Sequence, residues 1–132
     1  MKKAIGMAEF ITVSEGIAAT DRMIKTAEID VIEAQTVCPG KYIVIISGEI
    51  SAVNAAVEAA KTHHGAKLID SFVLGNPHES IFPAIYSNAE VTGAEALGVM
   101  ETFSAASAIF AADAAAKTAL VELIELRLAR GM

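Results

Sequence analysis

Tryptophan is absent from this 132-residue chain, aromatic residues make up only 5% of it, and there is a single cysteine, Cys38. One thiol excludes an internal disulfide and agrees with a reducing compartment. Positive charge is also sparse, with 10 Lys and Arg against 16 Asp and Glu and a formal net charge of −6. Phosphate binding needs clustered Lys and Arg, and here they are scattered, so nucleic acid is not an expected partner. Although 54% of the residues are hydrophobic, no run reaches the roughly 18 uncharged apolar residues of a membrane span. The most apolar stretch, residues 102–112, ends at Asp113. The opening Met1-Lys2-Lys3 and the apolar residues 4–13 imitate a secretory signal, but Glu9 interrupts them and no small-residue cleavage site follows. The expectation is a cytoplasmic protein with no membrane partner. There is also no glycine-rich phosphate loop and no pairing of nucleophile with base, which leaves catalysis without a chemical basis.

What the sequence does contain is a repeat of its own opening. Shifted by 92 positions, residues 4–40 lie on residues 96–132 without a gap, and 11 of the 37 aligned pairs are identical. The matches include Gly6 with Gly98, Glu9 with Glu101, Ile17 with Ile109, Asp21 with Asp113, and Lys25-Thr26-Ala27 with Lys117-Thr118-Ala119. Their order marks an internal duplication whose second copy breaks off. Much Ala and Val with little aromatic surface suits close, flat contacts between subunits, so an oligomer is expected.

Patterning divides the chain into residues 1–85 as one complete unit, residues 86–95 as a polar linker and residues 96–132 as an incomplete second unit. In the first, residues 3–12 read as a strand, Ser14 as a helix cap, and Ile17, Thr20, Ile24 and Ala27 fall at helical spacing over residues 14–27. Two strands follow at residues 31–37 and 41–47, separated by Cys38-Pro39-Gly40, a turn forced by Pro and Gly. Ser51 caps a helix that runs to His64 with Val53, Val57 and Ala60 inward, Gly65 stops it, and residues 67–74 form a fourth strand. Residues 80–85 add a short helical turn. The fold class is α/β, in the order β-α-β-β-α-β. The second copy is expected to repeat β-α-β, with a helix over 104–118 between strands at 96–103 and 119–128. Those strands lack their neighbours, an edge prone to aggregation. The half unit belongs to a longer tandem protein, is completed by another chain, or docks on its own first domain.

Several segments together resemble the bacterial microcompartment shell domain. They are Ala4-Ile5-Gly6-Met7-Ala8-Glu9, the helix end Asp21-Arg22-Met23-Ile24-Lys25-Thr26-Ala27, Gly48-Glu49-Ile50-Ser51-Ala52-Val53 and the loop Asn76-Pro77-His78. More narrowly, Cys38-Pro39-Gly40-Lys41 and Asp70-Ser71-Phe72-Val73-Leu74 are similar to the tandem-domain trimeric shell proteins of propanediol-utilisation compartments. The resemblance implies a non-enzymatic structural protein in which three tandem chains form a pseudo-hexameric tile with a central pore. It implies self-association as a homo-trimer, contacts with other shell proteins, and enclosed enzymes as further partners. It also implies that Lys25, Lys117 and His78 lie at the tile edge. Without it, Lys25 and Lys117 are surface lysines at helix C-termini, favoured there by the helix dipole.

The same resemblance implies a pore iron–sulfur cluster of the 4Fe–4S type, held by Cys38 and used for electron transfer across the shell. A cluster normally draws several thiolates from one chain, and this chain has one, so a monomer cannot hold it. Threefold symmetry brings three Cys38 side chains to one axis. Pro39 stiffens the turn, and Gly40 lets its backbone come close and offer an N–H to the cluster. Arg130 aligns with Cys38, so the second copy supplies no further thiol. The plain alternative is a free thiol in a loop. His63-His64 is a weak metal candidate, since neighbouring helical residues point about 100° apart and a solvated helix terminus explains them as well. A rival function is a trimeric small-molecule-binding or regulatory module without shell assembly. Tiling into sheets separates the two, and this chain alone is expected to tile poorly.

Overall fold

The computed structural model describes residues 3–93 and 95–128, so Arg130 lies outside the described residues. They form two compact units that divide between Asn76 and Pro77.

The first unit runs β1 (Ala4–Phe10), α1 (Val13–Thr26), β2 (Asp30–Val37), β3 (Lys41–Gly48), α2 (Ile50–His64), a 3-10 turn (Gly65–Lys67) and β4 (Leu68–Leu74). This is the expected β-α-β-β-α-β order. The strands make one antiparallel sheet in the order β2-β3-β1-β4. Its two central strands, β1 and β3, are buried on both faces, and this explains their near-continuous apolar sequences. On one face Ala4, Ala8, Phe10, Val44 and Ile46 pack with Ala19 and Met23 of α1 and with Val53, Ala56, Val57 and Ala60 of α2. Burying a side chain such as Met23 contributes about 1.5–3 kcal/mol. The alternate residues Ile5, Met7, Glu9, Ile43 and Ile45 point to the other face and are fully buried as well.

The residues that marked α1 as a helix are not its buried stripe. Gly16, Ala19 and Met23 face the core, whereas Ile17 is 54% and Ile24 51% exposed. Small residues win the inward face because the helix lies close on β3: a Cβ on Gly16 would sit 2.4 Å from Cδ1 of Tyr42. Neither expected serine cap forms. Thr12 precedes α1 and Glu49 precedes α2, both with extended backbone and no capping side-chain bond. Gly65 does end α2, in a right-handed conformation that leads into the 3-10 turn.

The second unit contains α3 (Ile81–Ile85) and α4 (Ala105–Thr118), the latter capped by Ser104, whose Oγ accepts the Ser107 amide at 3.1 Å. α3 packs on α4, and the His78 amide donates to Asp113 Oδ1 at 2.7 Å. Residues 77–85, which follow the fourth strand of the first copy, thus cluster with the helix of the second. The strands expected at 96–103 and 119–128 are a correction: the described residues there are in no sheet. In the first copy β1 bonds to β3 and β4, and β2 bonds to β3. With an offset of 92, the counterparts of β3 and β4 fall beyond residue 132. A helix satisfies its backbone internally and forms without them, but a strand cannot.

Candidate functional site: the Cys38 loop

Cys38 sits at the tip of the β2–β3 hairpin. Val37 pairs with Lys41, and Cys38-Pro39-Gly40 closes the connection between them. The sequence dictates this turn. Gly40 takes φ +75°, the left-handed region that glycine occupies without cost, and no atom lies within 4 Å of where its Cβ would be. Pro39 brings a fixed φ and no amide donor, and the Cys38–Pro39 peptide is cis. The thiol is exposed and free.

The base of the loop is tied to the sheet by charge. Lys41 Nζ donates to Glu9 Oε1 at 3.0 Å, and Glu9 is wholly buried, with its second oxygen, Oε2, lacking a hydrogen-bond partner. The register explains the pairing. Glu9 lies opposite Ile43, so Lys41, two residues along β3, shares its face and reaches it diagonally. A carboxylate buried this deeply depends on its partner, because an unpaired buried charge costs about 3–5 kcal/mol.

Among the described residues no three His, Cys, Asp or Glu side chains group so as to hold a metal ion. One chain therefore offers one thiol, and a cluster that needs several thiolates fits only where copies meet.

The remaining predicted positions form two matching helix ends. Lys25 pairs with Asp21 at 2.7 Å on α1, and Lys117 pairs with Asp113 at 2.6 Å on α4, each four residues apart. His78 is placed by its amide bond to Asp113 and by Nδ1, 2.7 Å from Ser80 Oγ. Cys38 and Lys25 belong to the first unit, and Lys117 and His78 to the second. His63 is exposed as expected of a helix terminus, but His64 is not solvated: its Nδ1 lies 2.7 Å from Glu15 Oε1 and ties α2 to α1. Sequence reasoning missed this contact and the Glu9–Lys41 pair. A carboxylate inside an apolar strand was the available signal for the second.

Comparison with known proteins gives consistent results. The BMC domain family matches residues 4–77 and 96–132. The chain is 37% identical over all 132 residues to the bacterial microcompartment shell protein PduT of Citrobacter freundii, of which it spans 72%. It is 29% identical over 96 residues to the carboxysome shell protein CcmK2 of Synechococcus elongatus, an alignment covering 67% of this chain and 94% of that one. The crystal structure of a microcompartment protein from Desulfitobacterium hafniense DCB superposes with a TM-score of 0.88 at 45% identity, over 100% of this chain and 73% of its own.

Proposed function

This chain belongs to the BMC domain family, and we propose that it is a shell protein of a bacterial microcompartment whose copies meet around their Cys38 loops in a threefold, pseudo-hexameric tile. Its work is structural, and its partners are other copies, other shell proteins and the enzymes enclosed. The observation that carries the pore assignment is the hairpin tip: a free, exposed thiol on a turn that is shaped by Pro39 and Gly40 and anchored through Lys41 to buried Glu9. Three such loops around one axis supply three thiolates for a 4Fe–4S cluster, which when bound provides one-electron transfer across the shell. Lys25, Lys117 and His78 take the tile edge in this reading. Asp21 and Asp113 hold the two lysines in the same way in both copies, which supports a shared role.

The test is the solution mass by light scattering of protein purified and reconstituted with iron and sulfide without oxygen, read with its visible iron–sulfur absorbance. A coloured trimer whose colour disappears in Cys38→Ser is expected. A Cys38→Ser variant that keeps the colour, or a trimer that stays colourless, overturns the cluster assignment. Electron microscopy of mixtures with a single-domain shell protein tests the structural half: incorporation into hexagonal sheets is expected, and a trimer that never enters them favours a small-molecule-binding module instead.

A further inference from the structure

The hairpin that carries Cys38 reaches past the strand that supports it. The ladder between β1 and β3 ends where Phe10 meets Tyr42, so the register pairs Lys41, just beyond it, with β2 alone. β2 gives little hold of its own: Val37 is its one buried residue, and its register with β3 shifts between Val31 and Glu33. Cys38, Pro39 and Gly40 are all exposed. The side chain of Lys41 leads from this overhang back to β1, where its Nζ donates to Glu9 Oε1 at 3.0 Å. The Glu9 side chain is wholly buried and its Oε2 has no hydrogen-bond partner, whereas the carboxylates that hold Lys25 and Lys61 are 61% and 63% exposed. Water replaces a lysine at an exposed carboxylate at little cost. At Glu9 the ammonium cannot leave without stranding a buried charge, so this tie persists where surface pairs come and go.

We propose that Lys41, held by Glu9, is the positioning residue for the Cys38 thiol: the pair keeps the overhanging turn in one place, so that three loops can present their thiols to a single guest. The proposal rests on the pseudo-hexameric reading for the meeting of the loops. Its consequence is a steep dependence on loop order. When each loop is in place for only a fraction of the time, a guest that needs all three thiols is weakened by the third power of that fraction. A threefold loss of order in each loop thus becomes about 27-fold at the shared site. A reagent that attacks one exposed thiol reacts whichever way the loop points, and hardly registers the change.

The probe is arsenous acid, titrated into the full, reduced chain without iron. Each arsenic–oxygen bond is exchanged for an arsenic–sulfur bond, and each hydroxide leaves as water with a thiol proton. Three Cys38 thiols and one arsenous acid therefore give one trithiolate and three waters, with arsenic trivalent throughout. Near-ultraviolet sulfur-to-arsenic absorbance reports the complex, light scattering the trimer, and iodoacetamide alkylation the access to single thiols. The parent should take up one arsenic per three chains, and Cys38→Ser none. Glu9→Gln/Lys41→Met removes the tie without stranding a charge, and should weaken uptake at least about tenfold while alkylation changes by less than about threefold. Lys41→Arg, which can still donate to Glu9, should bind within about threefold of the parent, and so should Glu58→Gln/Lys61→Met, which removes an exposed pair on α2. A trimeric double variant that binds arsenic like the parent overturns the proposal, and so does one that loses the trimer, which would place the pair in assembly and not in the turn. Backbone amide order parameters at Cys38 and Gly40 test the positioning without any trimer. A fall in the Glu9→Gln/Lys41→Met variant is expected, and unchanged values overturn the proposal. A parent that takes up no arsenic through Cys38, in a protein whose turn the double variant still loosens, sinks the shared-site reading alone.

Discussion

Gly16→Ala should destabilise the first unit, although replacing glycine by alanine inside a helix ordinarily stabilises. The ordinary gain is about 1 kcal/mol, from backbone entropy and helix propensity. Against it stands the packing of α1 on β3. A Cβ at Gly16 would lie 2.4 Å from Cδ1 and 2.6 Å from both Cβ and Cγ of Tyr42. Carbon atoms in contact prefer about 3.5–4.0 Å, so the two elements must separate by roughly 1 Å. A rotamer change cannot relieve this, because the Tyr42 Cβ is fixed to its own backbone. Overpacking of this kind costs about 1–3 kcal/mol, and a clash with main-chain-proximal atoms belongs at the upper end, which leaves a net loss of about 2 kcal/mol. Gly65→Ala is the control: Gly65 has φ −58° and no atom within 4 Å of the added carbon, so a gain of about 0.5–1 kcal/mol is expected there. Urea unfolding followed by far-UV circular dichroism reads both. With a slope of about 1–3 kcal/mol per molar, Gly16→Ala should lower the midpoint by about 1 M and Gly65→Ala should raise it slightly. A Gly16→Ala midpoint at or above that of the parent refutes the packing on which the α1 assignment rests.

Lys41→Met leaves the Glu9 carboxylate buried and unpaired, and should cost about 3–5 kcal/mol in the same urea assay; adding Glu9→Gln should restore most of it, and a double variant as unstable as Lys41→Met would show that the pair is not the cause. Asp113→Ala removes the acceptor of the His78 amide and should loosen the second unit by about 1–3 kcal/mol, seen as faster hydrogen exchange at His78 while β1 and β3 stay protected. Cys38→Ser, at an exposed hairpin tip, should change stability by less than about 0.5 kcal/mol, so any loss of colour or trimer in that variant reports on ligation and not on unfolding.

Most of the first unit was legible because its signals are local. The Cys38-Pro39-Gly40 turn announces itself through residue types that few other conformations accept, and the apolar strands β1 and β3 are bounded by clear breaks. Two things were not legible. The face of α1 that turns inward is chosen by how closely the helix approaches Tyr42, which favours Gly16 and Ala19 over the more hydrophobic Ile17 and Ile24, and hydrophobic spacing alone selects the wrong pair. The ties from Lys41 to Glu9 and from His64 to Glu15 span 32 and 49 residues, so they depend on sheet register and helix placement that no local pattern encodes. The candidate site was legible as a thiol on a turn, and its anchoring was not.

The two copies make the physical lesson sharper, since the same residue type meets opposite fates at matched positions. Glu9 is buried in a central strand while Glu101 is exposed, and Ile17 is exposed while Ile109 is buried. Gly6 is walled in by Val53, Ile46 and Val57, yet nothing lies within 4 Å of a Cβ at Gly98. A strand is defined by its neighbours, so the second copy's strand sequences, deprived of counterparts to β3 and β4 within residues 1–132, carry their pattern without their structure. A helix supplies its own hydrogen bonds, so α4 forms over the same positions as α1 and only its burial differs. What differs between the two helices is therefore the cover, and cover is the one property that a further chain can provide.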